Sequence, residues 1–204
     1  SARPVVPMQV VIIAGCIIAA IGFGTRGSFG LFTLPVTGDL GLSREQWGMA
    51  MAIQNLAWGV AQPFAGGFAD RYGTARVLAV GAAIYALGVL GMAFSSDVST
   101  LTLTAGIVTG TGIAVASFGV VMAAFGRVVA PEKRSFVFGI ATAASSAGQF
   151  IFAPIGQGFI SSFGWQMALV WIALLVLLIV PLSGALRGRS VSALVPLMPG
   201  SRWG

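Results

Sequence analysis

Gly66-Gly67-Phe68-Ala69-Asp70-Arg71-Tyr72-Gly73-Thr74-Ala75-Arg76 is a short charged turn set between two apolar runs, Gln46 to Ala69 and Ala75 to Phe94. A helix that crosses a bilayer takes roughly 20 mostly apolar residues, and both runs meet that length. Gly66 permits close helix approach, and Gly73 permits a tight turn with positive φ. Asp70 beside Arg71 and Arg76 supplies charge-assisted pairs at a membrane face. A turn this short makes its two helices antiparallel neighbours. The same pattern extends outward in both directions. Four further apolar runs lie at Met8 to Leu34, Leu101 to Phe125, Phe136 to Ile160 and Trp165 to Leu186. Turn and breaker residues separate them: Pro35 and Gly41, Ser95 to Ser99, Ala130-Pro131, and Ser161 to Gly164. The first run exceeds the roughly 7–15 apolar residues of a signal-peptide core and is read as a true span. The expected fold is an all-α membrane protein of six transmembrane helices.

Composition agrees. The 204 residues are 57% hydrophobic and 8% charged, where a soluble domain carries about 25% charge. Too few polar side chains exist to cover a water-facing surface, so lipid is the expected solvent. The absence of histidine removes the commonest general base and metal ligand. No metal and no cofactor are expected. Cys16 is the single cysteine and has no internal disulfide partner. The net charge of +6 does not point to nucleic acid, because the basic residues sit between apolar runs and not among exposed aromatics. An intramembrane protease would need a Ser/His pair or two buried aspartates, and neither is available. A channel would show a charged ring or a carbonyl filter pattern, and neither is visible.

The basic residues set an orientation. Arg3, then Arg71 and Arg76, then Arg127, Lys133 and Arg134, then Arg187, Arg189 and Arg202 occupy alternate junctions. The other junctions hold Arg44 with Asp39, Glu45 and Asp97. The positive-inside rule then makes both termini cytoplasmic.

The chain also repeats itself. Pro63, Gly67, Phe68, Tyr72 and Gly73 align with Pro154, Gly158, Phe159, Phe163 and Gly164, each 91 residues later. Ser28-Phe29-Gly30 aligns with Ser117-Phe118-Gly119, 89 residues later. Three spans are an odd number, so the second copy enters from the opposite side, an architecture of many secondary transporters. The expected units are residues 1–94, an inverted second repeat over 95–189, and a cytoplasmic tail or truncated central linker over 190–204. The start at Ser1, without an initiator Met, reads as processing or trimming.

The loop quoted first resembles the signature of the major facilitator superfamily in Gly66, Asp70, Arg71, Gly73 and Arg76. It departs at Thr74 and Ala75, where that family often has basic residues. Two further stretches resemble monocarboxylate and oxalate/formate-type transporters. One is Gly24-Thr25-Arg26-Gly27-Ser28-Phe29-Gly30-Leu31-Phe32, and the other is Gln54-Asn55-Leu56-Ala57-Trp58-Gly59-Val60-Ala61-Gln62-Pro63. The resemblance runs from about Gln9 to Arg189. It implies alternating access between two six-helix halves in a bacterial inner membrane. The second half would be a separate chain, a second copy, or a C-terminal part missing from this sequence. It also implies that Asp70 caps a helix of that other half and locks the outward-facing state. Proton-coupling charges would lie in the other half too. The competing class is a non-transporting fragment or an assembly subunit.

Every acidic residue, Asp39, Glu45, Asp70, Asp97 and Glu132, falls in a junction. Arg26 alone lies well inside a span, eight residues before Leu34, or about 12 Å at 1.5 Å per residue. An arginine at mid-membrane costs about 2.5–3.5 kcal/mol even on the lenient insertion scale. It therefore needs a watery cavity or a partner. A guanidinium facing a cavity is a bidentate carboxylate site, which makes a small organic anion the expected substrate. The competing reading pairs Arg26 with an acidic residue of the missing half, or lets it snorkel. Gln54, Asn55, Trp58 and Gln62 share one side of the second helix, and Gln149 with Gln157 sits similarly on the fifth. They are candidate cavity walls, or interhelical glue. Gly106 and Gly110 read as packing. Arg127 or Arg134 is a candidate tie to Asp70, or ordinary topogenic charge.

Overall fold

The structure is a computed structural model that describes residues 6–116 and 118–187. Its regular structure is helical throughout. The first rod, Met8–Leu40, passes through a 3-10 turn at Phe29–Phe32 and ends at Gly41 in the left-handed region (φ 63°). The second rod, Arg44–Tyr72, starts on a capping box in which Ser43 and Gln46 exchange hydrogen bonds of 3.1 and 2.8 Å. That exchange satisfies two amides that a helix start leaves open. The third rod is Thr74–Ala93. The fourth spans Val98–Val128 and begins at a second box, Asp97 with Thr100. Pro131–Leu177 is continuous by hydrogen bonding but breaks at Gly164 (φ 78°, ψ 166°). That break divides it into a fifth rod, 131–163, and a sixth that extends to Leu186.

Four stretches are long and apolar enough to cross a membrane: Met8–Leu40, Thr74–Ala93, Val98–Val128 and Pro131–Leu186. The last of these holds two rods. Arg44–Tyr72 is long but too polar, because it carries Arg44, Glu45, Gln46, Gln54, Asn55, Gln62 and Asp70. Four of these seven lie at the helix ends and three within it.

The rods are arranged so that the molecule has two unlike ends. At one end Val6, Gly73, Arg76, Arg127 and Arg187 border a common cavity. At the other, the Trp165 indole Nε1–H donates to Asp39 at 3.0 Å, joining the end of the first rod to the start of the sixth.

Glycines set the closest crossings. A Cβ on Gly148 would strike the Ala20 carbonyl, so the fifth rod lies directly on the first. A Cβ on Gly110 would strike the Gln54 carbonyl, and one on Gly106 would sit 3.2 Å from the Ala50 carbonyl, so the fourth rod lies on the second. Such small-residue contacts let helix backbones meet in an apolar solvent that supplies no hydrophobic drive. Tyr85, Phe32, Phe125, Leu78, Leu169 and Ile172 fill the interior behind these crossings. Leu56, Val60, Phe64 and Phe68 of the second rod and Phe136 and Phe150 of the fifth stand exposed.

Candidate functional site

The first four rods enclose a cavity of about 200 Å³. Ile18 and Phe23 of the first rod, with Ile113 and Phe118 of the fourth, give it apolar walls. Its polar groups are Arg26, Trp58, Gln62 and Tyr85, one or two from each of the first three rods.

Arg26 is half-buried near the middle of a 33-residue rod. Its Nη2 donates to the Asn55 amide oxygen at 2.6 Å. The Asn55 Nδ2 in turn donates to the Met51 carbonyl at 2.8 Å, which turns the amide oxygen towards the guanidinium. The guanidinium carbon lies 4.7 Å from the centre of the Trp58 ring. This is a cation–π contact, which gains strength where water is scarce. Among the described residues Arg26 forms no ion pair. A guanidinium has five N–H donors, and one of them is spent here. The positive charge is held in place without being neutralised.

Among the described residues, the buried Thr25 hydroxyl and the buried Trp58 indole N–H beside it have no hydrogen-bond partner. Each such orphan costs about 1–3 kcal/mol, and an unpaired buried group asks for a water or a ligand. Trp58 lines the cavity beside Arg26, with its indole N–H closed off from solvent. Tyr85 is buried and donates its hydroxyl to the Gly22 carbonyl at 3.1 Å, fixing the third rod to the first at cavity depth. The fourth rod is interrupted here as well. Ala116 leaves helical geometry (φ −85°, ψ 28°) and the helix resumes at Phe118. A broken membrane helix is tolerated where its freed backbone lines a cavity.

Of the residues that the sequence picks out, Arg26, Trp58 and Gln62 meet at the cavity, and Asn55 reaches it through Arg26. Gln54 does not. It is buried, and its Nε2 donates to the Ala105 carbonyl at 2.7 Å, bonding the second rod to the fourth. Adjacent positions on a helix differ by about 100°, so Gln54 turns away as Asn55 turns in. Gln149 is exposed and lies beside Gly27, where an added Cβ would meet its Cγ at 3.0 Å. It borders the open face next to Arg26, outside the enclosed space.

The Gly66 to Arg76 turn also differs from its expected geometry. Gly73 takes a positive φ of 91° and closes the turn. A Cβ on Gly66 would meet nothing within 4 Å, so no close helix contact forms there among the described residues. Arg71 leans on its neighbour Tyr72, with the guanidinium carbon 5.4 Å from the ring centre. Asp70 is exposed and has no ion pair among the described residues. The expected tie from Arg127 or Arg134 to Asp70 is absent. Arg127 donates instead to the Thr74 hydroxyl and to its own helix at Ala123, and Arg134 donates to the Val129 carbonyl at 3.1 Å. Both arginines find nearer acceptors than the carboxylate.

The sequence profile of the Major Facilitator Superfamily matches residues 14–197. The chain belongs to this superfamily. Its members are membrane transporters and not enzymes, so the helices are membrane helices and the bilayer is their solvent. The chain is 26% identical over 176 residues to monocarboxylate transporter 13 of Rattus norvegicus, covering 85% of this chain and 40% of that protein. It is 27% identical over 199 residues to monocarboxylate transporter 11 of Mus musculus, covering 91% and 42%. It is 27% identical over 148 residues to the uncharacterized MFS-type transporter YcxA of Bacillus subtilis (strain 168), covering 72% and 36%. The chain thus spans about 40% of the length of the curated relatives it matches.

The remaining wall residues escaped the sequence reading, Phe23, Phe118 and Tyr85 among them. Phe23 and Phe118, which stack edge to face with ring centres 5.9 Å apart, are indistinguishable by type from lipid-facing phenylalanines. Tyr85 carried a usable signal. Tyrosine in a membrane helix concentrates at the interfaces, and this one lies at mid-helix in Thr74–Ala93.

Proposed function

We propose that this chain is one six-helix half of a secondary transporter that moves small organic anions of the monocarboxylate class by alternating access. The observation that carries the reading is Arg26. It is a mid-membrane guanidinium on a cavity wall, anchored by Asn55 and Trp58 and neutralised by no carboxylate among the described residues. A carboxylate bound there gains a bidentate charge-assisted contact with the guanidinium donors that Asn55 leaves unspent. Phe23, Ile18, Ile113 and Phe118 suit a short apolar tail. The names of two relatives, monocarboxylate transporters 11 and 13, support the same class.

The proposed architecture is six crossings in two inverted three-helix repeats. Three features support it. Gly73 and Gly164, 91 residues apart, close equivalent turns with similar backbone angles (φ 91°, ψ 140° and φ 78°, ψ 166°). Pro63 and Pro154, also 91 apart, lie inside equivalent helices. The Ala20–Gly148 crossing of the first and fifth rods matches the Gly110–Gln54 crossing of the fourth and second, at corresponding depths. Both termini belong on the cytoplasmic side, where the arginine-bearing end gathers. A bacterial inner membrane suits this orientation. Transport requires a second six-helix half to close the open face around Gln149 and Asn55. Proton coupling is assigned to that half, because the acidic residues here all lie outside the cavity.

The test is uptake of radiolabelled short carboxylates into proteoliposomes, with and without an imposed proton gradient, using the chain together with its second half. Wild type should accumulate label and Arg26→Gln should lose it. Normal uptake by Arg26→Gln defeats the reading. An inert chain under every condition favours the alternative, a non-transporting fragment or assembly subunit.

A further inference from the structure

The arginine-bearing end holds a second and larger cavity, about 770 Å³ in volume. Arg76, Arg127 and Arg187 all stand on its wall, on the third, fourth and sixth rods or their ends. Arg127 is braced by Thr74 and Ala123. The guanidinium groups of Arg76 and Arg187 are exposed and have no protein partner among the described residues. The first turn of the third rod, Thr74 to Arg76, forms another part of the wall. It has no acidic residue and no side-chain cap. Its amides therefore add the positive end of a 20-residue helix to the three side chains. Positive charge converges on one space, and no acidic side chain stands on its wall among the described residues.

The surroundings narrow the ligand. The cavity opens where the apolar span Thr74–Ala93 begins, which is headgroup depth. Met8, Val10 and Ile13 of the first rod and Val80 of the third are exposed large apolar residues. A ligand with one phosphate in the cavity and two acyl chains laid along such surfaces satisfies both halves of the site. Arginines clustered at a membrane face are suited to lipid phosphate, each adding about 1 kcal/mol near the surface, and arginine forks match phosphate oxygens.

We infer that this cavity binds the phosphate of an anionic phospholipid through Arg76, Arg127 and Arg187. The site is separate from the Arg26 cavity, and its occupancy does not depend on what that cavity carries. The experiment is native mass spectrometry of the full chain, released from detergent after incubation with phosphatidylglycerol or phosphatidylcholine. Wild type should retain phosphatidylglycerol in preference to phosphatidylcholine. Arg76→Gln and Arg187→Gln should each lower that retention about fivefold, and the pair together about 25-fold. Neither side chain has a hydrogen bond or ion pair among the described residues, so these variants put the fold at less risk than Arg127→Gln, which loses the Thr74 bond. Unchanged retention in the double variant overturns the proposal. Equal retention of phosphatidylglycerol and phosphatidylcholine by wild type also overturns it, and so does retention of inorganic phosphate in place of phosphatidylglycerol when the two are offered at equal concentration, because the site would then serve a free anion and not a lipid.

Discussion

The two cavities use the same side chain in opposite ways. In the central one a single arginine is fixed by Asn55 and Trp58 and faces about 200 Å³. At the basic end three arginines border about 770 Å³, and two of them have no protein partner among the described residues. A guanidinium that is already anchored loses little freedom when it binds, so it can select one geometry. Loose guanidinium groups at a surface act as a field, which recruits charge without reading shape. Under the two proposals, burial and partners, not residue type, separate the substrate site from the lipid site.

The sharpest way to break that contrast is to remove the anchored charge. Arg26→Gln should weaken carboxylate uptake about 30-fold or more, the cost of losing one partner of a buried charged contact at 2 kcal/mol or above. Arg26→Lys should restore only part, because an ammonium lacks the planar fork. Next comes the anchor itself. Asn55→Ala frees the guanidinium while leaving its charge, and should raise the half-saturating carboxylate concentration about tenfold, read from uptake curves. A third test separates the sites by salt. Raising ionic strength from 50 to 500 mM shrinks the Debye length from about 14 Å to about 4 Å. Anionic-lipid retention at the basic end should fall at least about tenfold, and carboxylate affinity at Arg26 by less than about threefold.

The smallest effects lie outside both cavities and serve as controls. Ser43→Ala removes half of a capping box and should destabilise the second rod by about 1 kcal/mol, seen as a lower thermal midpoint with unchanged carboxylate affinity. Asp97 is held below the usual carboxylate range, chiefly by the Thr100 backbone N–H, and it is fully exposed. A carboxylate whose folded value is lowered stabilises the fold above its ordinary pKa and loses that contribution as pH falls through the lowered one. Asp97→Asn keeps the cap and should flatten the acid limb of the stability curve below about pH 4, with neither cavity affected.

The helices and the turn at Gly73 were legible because apolar length and glycine placement are local properties. Arg26 was legible for the same reason, since one charge in an apolar run stands out whatever surrounds it. What was not legible depends on neighbours. The direction of Gln54 is decided by the Ala105 carbonyl, 51 residues away, with which it pairs. The Arg127 partner is Thr74 and not Asp70, because a hydroxyl at the start of the third rod lies closer than a carboxylate at the end of the second. The interruption after Val115 follows from the cavity wall that it forms, and hydropathy reads straight through it.

Equilibrium binding of propionate, followed by the fluorescence of the tryptophan beside Arg26, tests the central claim most directly. Propionamide, the same shape without the charge, is the comparison ligand. Wild type should bind propionate and not propionamide, and Arg26→Gln should bind neither. Equal binding of the two ligands by wild type, or undiminished propionate binding by Arg26→Gln, would contradict the assignment of that guanidinium to an anion.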